Sequence, residues 1–158
     1  MMENLLKKAI QLRNEKKFTE SREILLSLTN FTQNPEILYQ CACTHDAMGM
    51  ETEAVPYYEK AIELGLEGES LRGAYIGLGS TYRCIGDYDR AIATLEAGMK
   101  RYPDDDAMKV FLSLAKYNIQ SHEDAMKLLL DVVVKTEGVK GFEKAITFYK
   151  EHLNEIFS

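Results

Sequence analysis

Proline, glycine and cysteine are scarce in this chain of 158 residues, and tryptophan is absent. Three prolines and ten glycines are too few for the many turns of an all-β domain, so the composition favours helices. Three cysteines cannot pair off into a disulfide framework, and we therefore expect a reducing, cytoplasmic environment. The net charge of −6 disfavours a nucleic-acid partner, which would require a basic surface.

Long apolar runs are also missing. No stretch approaches eighteen consecutive apolar residues, so we expect no segment that spans a membrane. Residues 1–17 carry a charge every few positions and lack the apolar centre of a signal peptide, so we expect no secretory leader. The hydrophobic content of 46% is enough for the core of a single domain, which is also what the length predicts.

A repeating pattern is present instead. Small residues recur at intervals of 33, 37 and 34 positions, and a bulky residue follows each of them after four positions. Because this spacing puts both residues on one helix face, each unit predicts a helix whose small residue lets a neighbouring helix approach closely. The small residues are Ser21, Ala54, Ala91 and Ala125, and the bulky residues are Leu25, Tyr58, Leu95 and Leu129.

The third unit carries the pattern most fully. It contains Tyr75-x-x-Leu78-Gly79-x-x-Tyr82, Gly86, Ala91-x-x-x-Leu95 and Pro103. This combination resembles the tetratricopeptide repeat, a helix-turn-helix unit of about 34 residues. The resemblance extends over about residues 2–136. It implies an all-α fold, a right-handed α-solenoid of about four helix pairs with a concave inner surface. The predicted units, within a single domain covering 1–158, are about 2–33, 35–66, 70–103 and 106–136.

Two segments depart from a regular repeat. The interval of 37 residues predicts a lengthened loop at residues 65–69, with a longer helix after the loop as the alternative. Pro56 lies about five residues inside a predicted helix, so it predicts a local kink or a late helix start.

The C-terminal residues follow a different pattern. Apolar residues at steps of three and four predict one amphipathic helix at about 139–157, which would cap the open end of the stack. In the alternative interpretation, its Phe142, Tyr149 and Phe157 form a dimer surface.

The family resemblance also implies a binding site, because the first helices of the pairs usually line a groove for an extended peptide or a partner helix. The implied groove residues are Tyr39, Cys43, Asp46, Ile76, Ser80, Arg83, Val110, Leu114 and Tyr117. The resemblance also places Glu3, Leu6, Ile10, Arg13, Glu36, Gly73 and Ala107 at groove positions, with Leu6 and Ile10 in its apolar centre. Because the central side chains are largely apolar, we expect an amphipathic helix or a hydrophobic strand as the ligand. Tyr39 is its expected anchor, and Arg83 and Asp46 are expected to set its orientation.

Chaperone-binding relatives use the groove differently, gripping a C-terminal carboxylate with Lys, Asn and Arg side chains. The corresponding positions in this chain are Leu6, Ile10, Gln40, Gly73 and Gly77. Such residues do not supply converging donors for a carboxylate, so we expect no clamp of this kind.

Signals for chemistry are weak. Cys41 and Cys43 lie two positions apart on a predicted helix and therefore point in different directions, so we expect packing roles for Cys41 and His45 and no metal. Residues 104–106 are three aspartates, which we interpret as a helix cap. With no phosphate loop or catalytic constellation in the pattern, we expect neither a cofactor nor an enzyme activity.

The sequence therefore predicts a non-enzymatic protein–protein interaction module that holds a partner peptide or helix in its concave groove. The alternative is a self-associating structural protein that dimerises through the C-terminal helix or the groove. A protein partner is expected in either case, without nucleic acid or membrane.

Overall fold

A computed structural model describes residues 1–157, and this part of the chain is all-α, as predicted. Eight helices form four consecutive hairpins, and a short 3₁₀ helix and a ninth helix follow them. The helices are α1 (Met2–Asn14), α2 (Phe18–Thr29), α3 (Pro35–Ala47), α4 (Glu51–Glu63), α5 (Gly68–Cys84), α6 (Tyr88–Arg101), α7 (Asp106–Asn118), α8 (His122–Val133) and α9 (Glu143–Glu151), with the 3₁₀ helix at Glu137–Val139.

The helix pairs stack into a solenoid. Each helix packs against the next one in the chain, and α1, α3, α5 and α7 also contact one another in order. The first helices of the pairs therefore share one layer, which is the inner wall of the stack. The sequence prediction of an α-solenoid of four helix pairs with a further C-terminal helix is confirmed.

The first helix of each pair ends in the same way. One residue adopts a left-handed conformation, and the amide after it donates to a carbonyl five residues earlier, as in Lys17 to Leu12 and Met50 to His45. Glycine occupies the left-handed position in the two inner pairs, whereas the outer pairs place a residue with a side chain there. The four residues are Lys16 (φ 61°), Gly49 (φ 70°), Gly86 (φ 82°) and Gln120 (φ 64°).

Side-chain caps start several helices. The Asn34 side chain accepts hydrogen bonds from the amides of residues 36 and 37 (2.9 and 3.3 Å), just ahead of the proline that opens α3. Asp87 caps α6 and Asp105 caps α7 in the same manner. Ser121 precedes α8, but its hydroxyl donates to Asp124 (2.8 Å) and caps no amide.

The core follows the repeat. Ser21, Ala54, Ala91 and Ala125 are all buried, and so are the bulky partners in the first three units: Leu25, Tyr58 and Leu95. Leu129, the bulky residue of the fourth unit, is only half-buried. The last helix pair, which α9 covers on its far side, is therefore less fully buried than the first three.

Three glycines let neighbouring helices approach α5 closely. A Cβ atom at Gly77 would lie 2.5 Å from the Tyr58 hydroxyl, so α4 occupies the space that a side chain would need. Tyr39 of α3 fills the same kind of gap at Gly73, and Leu95 of α6 fills the one at Gly79. Side chains from three helices thus seat on a single helix, which makes α5 the most closely approached element of the stack.

The longer helix, given as the alternative for the 37-residue interval, is confirmed, and a late helix start at Pro56 is excluded. The loop before α5 spans only residues 64–67, and α5 itself is 17 residues long, so the extra residues lengthen the helix and not the loop. Pro56 does not delay α4, which begins at Glu51. Because proline has no backbone N–H, the carbonyl of Thr52, four residues before Pro56, lacks its helical hydrogen bond. Both residues are exposed, so water can solvate that carbonyl.

The C-terminal helix is shorter than the predicted 139–157. Helix α9 covers only Glu143–Glu151, because His152 leaves the helical conformation (φ −128°) and the following residues turn back. Phe157 thereby reaches the ring of Phe148 at a centroid distance of 5.6 Å. Within α9, Ile146 and Lys150 are half-buried and no residue is fully buried.

Candidate functional site

The predicted groove residues lie on the inner layer of helices. Tyr39, Cys43 and Asp46 are on α3, Ile76, Ser80 and Arg83 are on α5, and Val110, Leu114 and Tyr117 are on α7. Their exposure differs greatly from helix to helix, and this difference separates residues that hold the stack together from residues that are free to meet a ligand.

Tyr39 is one of the residues that hold the stack together. It is half-buried, its hydroxyl presses against the backbone of Gly73 on α5, and its ring lies 6.2 Å from that of Tyr58. Burial raises the pKa of the Tyr39 hydroxyl well above its ordinary value. The side chain that the sequence predicted as the main anchor is therefore largely occupied in joining the second and third units.

Asp46 is the centre of a polar network between three helices. Its carboxylate accepts hydrogen bonds from Tyr58 of α4 (2.7 Å) and Thr81 of α5 (2.8 Å). Burial raises the pKa of Asp46 and outweighs these two hydrogen bonds, which act in the opposite direction. The Tyr58 hydroxyl also lies 3.7 Å from the Cys43 sulfur, and burial raises the pKa of that thiol.

Two arginines of the inner layer, Arg13 and Arg83, also have internal partners. Arg13 donates to the Gln40 side chain (2.7 Å) and to its carbonyl oxygen (3.2 Å), and Gln40 in turn donates to Glu36 (2.7 Å). Arg83 donates to the Asn118 side chain at 2.8 Å. These bonds connect α1 to α3 and α5 to α7.

Polar bonds thus join each first helix to the next, with Asp46 and Thr81 joining α3 to α5. Sequence analysis missed this role and assigned Asp46 and Arg83 to ligand orientation. The available signal was that Arg13, Asp46 and Arg83 occupy equivalent repeat positions, where a polar side chain can reach the next unit.

Among the predicted groove residues, the exposed apolar side chains lie on α7. Tyr117 is 62% exposed and Leu114 is 37% exposed, whereas Ile76 and Val110 are half-buried. The Tyr117 ring packs against His122 at a centroid distance of 4.9 Å, which holds it in place. Of the nine predicted groove residues, Leu114 and Tyr117 are therefore the most accessible to a ligand.

The cysteine and histidine of α3 form a packed unit. His45 is buried and its Nδ1 lies 2.8 Å from the Cys41 carbonyl oxygen, while Arg22 donates to its Nε2 at 3.1 Å. The Tyr57 ring stacks on the imidazole. Both ring nitrogens are therefore engaged, and burial raises the pKa of the Cys41 thiol to about 11.

The remaining candidates for metal binding have other partners. Asp105 caps α7 and pairs with Arg72, and this pairing holds the pKa of Asp105 below its ordinary value although burial opposes the shift. Asp106 pairs with Lys135 at 2.7 Å. Between residues 1 and 157, no three His, Cys, Asp or Glu side chains come together in a cluster suited to a metal ion.

Comparison with known families identifies the class of protein. Residues 35–153 match the model of the tetratricopeptide repeat family, described as Tetratrico peptide repeat, and the chain belongs to this family. Tetratricopeptide repeats typically act as interaction modules for other proteins. No curated protein matches the chain, and in the described residues no helix is both long and apolar enough to cross a bilayer.

Solved structures show the same fold at low sequence identity. A crystal structure of MamA is 18% identical, with a TM-score of 0.75 over 99% of this chain and 79% of that one. MamA 41-end from Desulfovibrio magneticus RS-1 is also 18% identical, with a TM-score of 0.72 over 98% and 97% of the two chains. YrrB, described as a TPR protein with an unusual peptide-binding site, is 15% identical, with a TM-score of 0.71 over 90% and 71%.

Proposed function

We propose that the protein is a non-enzymatic interaction module that holds a partner peptide or amphipathic helix in the groove formed by α3, α5 and α7. The observation that carries this proposal is the exposure of Leu114 and Tyr117 on an inner-layer helix. An apolar side chain and a fixed aromatic ring on adjacent turns are the kind of surface that anchors a partner's apolar residues.

The state of the charged groups supports an apolar ligand. Arg13, Asp46 and Arg83 already have partners on neighbouring helices. A ligand that paired with any of them would have to replace an existing hydrogen bond, so the gain in free energy would be small. Burial of apolar surface is then the main source of affinity, with YrrB as a family example of peptide binding.

The same contacts argue against a carboxylate clamp. Gln40, the one polar side chain at the clamp positions, is bonded to both Arg13 and Glu36. The gaps at Gly73 and Gly77 are filled by Tyr39 and Tyr58. A peptide C-terminus would therefore find no free side-chain donors at these positions.

The contribution of the Tyr117 ring to ligand binding follows from its exposed area. Burying the exposed part of the Tyr117 ring contributes roughly 3 kcal/mol at about 25 cal/mol per Å2, before the cost of association. Removing the ring should thus lower the affinity for a ligand by about tenfold to about a hundredfold.

A peptide library displayed on phage tests the proposal. The wild-type chain should enrich sequences with apolar residues at helical or alternating spacing, and Leu114→Ser together with Tyr117→Ala should lose them. Phe31→Ala is the matched control, because this ring is exposed on the loop between α2 and α3, and it should retain the selected peptides. Equal binding by the groove variant and the wild type would exclude the groove.

Self-association is the second candidate function, in which the chain is a structural protein that dimerises through its C-terminal helix or its groove. The specific observation in its favour is that Phe148, Tyr149 and Phe157 remain exposed around α9. Capture of the selected peptides by a monomeric protein would favour the interaction module. Competition between peptide and dimer for the groove would favour self-association there.

A further inference from the structure

We propose that a second copy of this chain docks on the outer side of α9, independently of the groove. The surface concerned, the C-terminal aromatic face, consists of Phe142, Phe148, Tyr149, His152 and Phe157. Apart from His152, each of these residues is between 48% and 68% exposed.

Four of the five rings, all except Phe142, form a cluster. Phe148 stacks on His152 at a centroid distance of 4.3 Å and meets Tyr149 edge-on at 5.6 Å. Phe157 closes the cluster against Phe148 and Tyr149, at 5.6 and 6.2 Å. Because the rings support one another, the surface is already organised, and a partner does not have to order it.

Helix α9 has little else to stabilise it. It is nine residues long, and helices this short are marginal in water without tertiary packing. Its polar links to the preceding pair are Lys150 to Asp131 (2.7 Å), Glu151 to Lys127 (4.0 Å) and, just beyond the helix, Asn154 to Glu123 (3.1 Å). Covering the aromatic side would give α9 a second packed face.

The exposed area matches what a dimer requires. The four rings of Phe142, Phe148, Tyr149 and Phe157 leave roughly 350–550 Å2 in water, taking about 150–250 Å2 for a whole aromatic side chain. A standard interface buries about 800 Å2 on each partner, and a little over half of that is apolar. The C-terminal aromatic face alone therefore supplies the apolar part of one standard interface.

The charges around the face favour a second copy over a partner whose surface carries only positive or only negative charge. A depression beside Phe148 is lined by Glu143, Lys144 and Glu151, so both signs occur in one patch. Lys144 has no carboxylate within ion-pair distance among residues 1–157. In a two-fold dimer each patch meets itself, and Lys144 of one copy can approach Glu143 or Glu151 of the other.

Sedimentation velocity over about 5–200 μM protein tests this, since dimerisation depends on protomer concentration. The wild type should reach twice the chain mass of 18.0 kDa. Phe148→Ser with Tyr149→Ser should weaken the dimer by about tenfold or more. Phe31→Ser, which removes a more exposed ring elsewhere, should leave the dimer unchanged. A second variant, Lys144→Glu, should weaken it without altering any ring.

Deuterium exchange of the wild type gives an independent reading, because residues 143–151 should become more protected as the protein concentration rises. The groove variant Leu114→Ser with Tyr117→Ala should dimerise like the wild type, which separates this proposal from the groove proposal. A wild type that stays monomeric throughout the range, or a dimer that only the groove variant weakens, would overturn the assignment.

Discussion

The two inner helix pairs and the C-terminal end of the stack use the same repeat but differ in packing. In the inner pairs, Leu95 and Tyr58 are buried against glycines of α5. At the end of the stack, α8 buries only Ala125 and α9 buries no residue fully. A pair between two other pairs can become a core, whereas the last pair, covered on one side only by the short α9, retains surface for another molecule.

The turns show the same contrast. Gly49 and Gly86 take the left-handed position in the inner pairs, where glycine has no steric penalty. Lys16 and Gln120 take it in the outer pairs and carry the strain of a side chain there. We therefore expect the inner pairs to be the more stable part of the stack, and most of the exposed large apolar side chains lie outside them.

The largest test of this contrast compares the same repeat position in two units. Leu95→Ala should lower the free energy of unfolding by about 3–5 kcal/mol, because it empties a fully buried site that faces Gly79. Leu129→Ala should cost only about 1–2 kcal/mol, because Leu129 is half-buried. Urea unfolding followed by circular dichroism measures both. Equal losses would mean that the last pair is as well packed as the inner ones.

The Asp46 network should come next. Asp46→Ala leaves the hydroxyls of Tyr58 and Thr81 without their acceptor and should cost about 1–3 kcal/mol. A double-mutant cycle with Thr81→Val measures the coupling, since Val keeps the shape and removes the hydroxyl. Additive effects of the two changes would show that the bond across α3 and α5 contributes no stability.

Asp46 also makes stability depend on pH. Its pKa is raised in the folded state, so the native protein binds the proton more tightly than the unfolded chain. The contribution is complete below the ordinary pKa of 3.8 and is lost as the pH rises through the folded-state pKa. Relative to Asp46→Asn, the wild type should therefore lose stability over that window, as measured by unfolding at a series of pH values. A difference in stability between the two proteins that does not change with pH would contradict the raised pKa of Asp46.

The turns should give smaller effects of opposite sign. Gln120→Gly removes a side chain from a left-handed residue and should stabilise the protein by about 1 kcal/mol, whereas Gly86→Ala should destabilise it by a similar amount. Thermal unfolding measures both variants. Destabilisation by Gln120→Gly would show that the Gln120 side chain makes a contact that stabilises the protein by more than the backbone strain destabilises it.

The last prediction concerns the reactivity of the three cysteine thiols and involves no change in stability. Burial raises the pKa of the Cys41 and Cys43 thiols, whereas Cys84 is exposed. An aromatic disulfide reagent at mildly alkaline pH should titrate Cys84 rapidly in the native protein and all three thiols after unfolding. Rapid reaction of Cys43 would mean that the α3 side of the groove opens more than its contacts indicate.

Much of the fold was predictable because the repeat spacing records which residues share a helix face. The small residues Ser21, Ala54 and Ala91 are buried as their periodicity requires. The longer α5 was not predictable, because Gly65 and Gly68 suit a loop and a helix start equally well, and packing decides between them. The early end of α9 was missed because Leu153 and Ile156 continue the helical spacing beyond the residue where the chain turns.

The candidate site was predictable by position but not by role. Equivalent repeat positions place Tyr39, Asp46 and Tyr117 on the inner helices. Their roles depend on contacts between units that lie more than 30 residues apart in sequence, such as Asp46 with Thr81. Spacing within one helix does not encode these contacts, so the sequence could not show that Tyr39 packs against Gly73 while Tyr117 stays exposed.

Deuterium exchange of the protein with its best library peptide tests the central claim most directly. The account predicts protection in residues 106–118, with weaker protection in residues 73–84, because α7 offers the exposed anchors and α5 forms the adjacent wall. Protection confined to α8 and α9, or to the outer helices α4 and α6, would contradict the claim that the inner wall of the stack holds the partner.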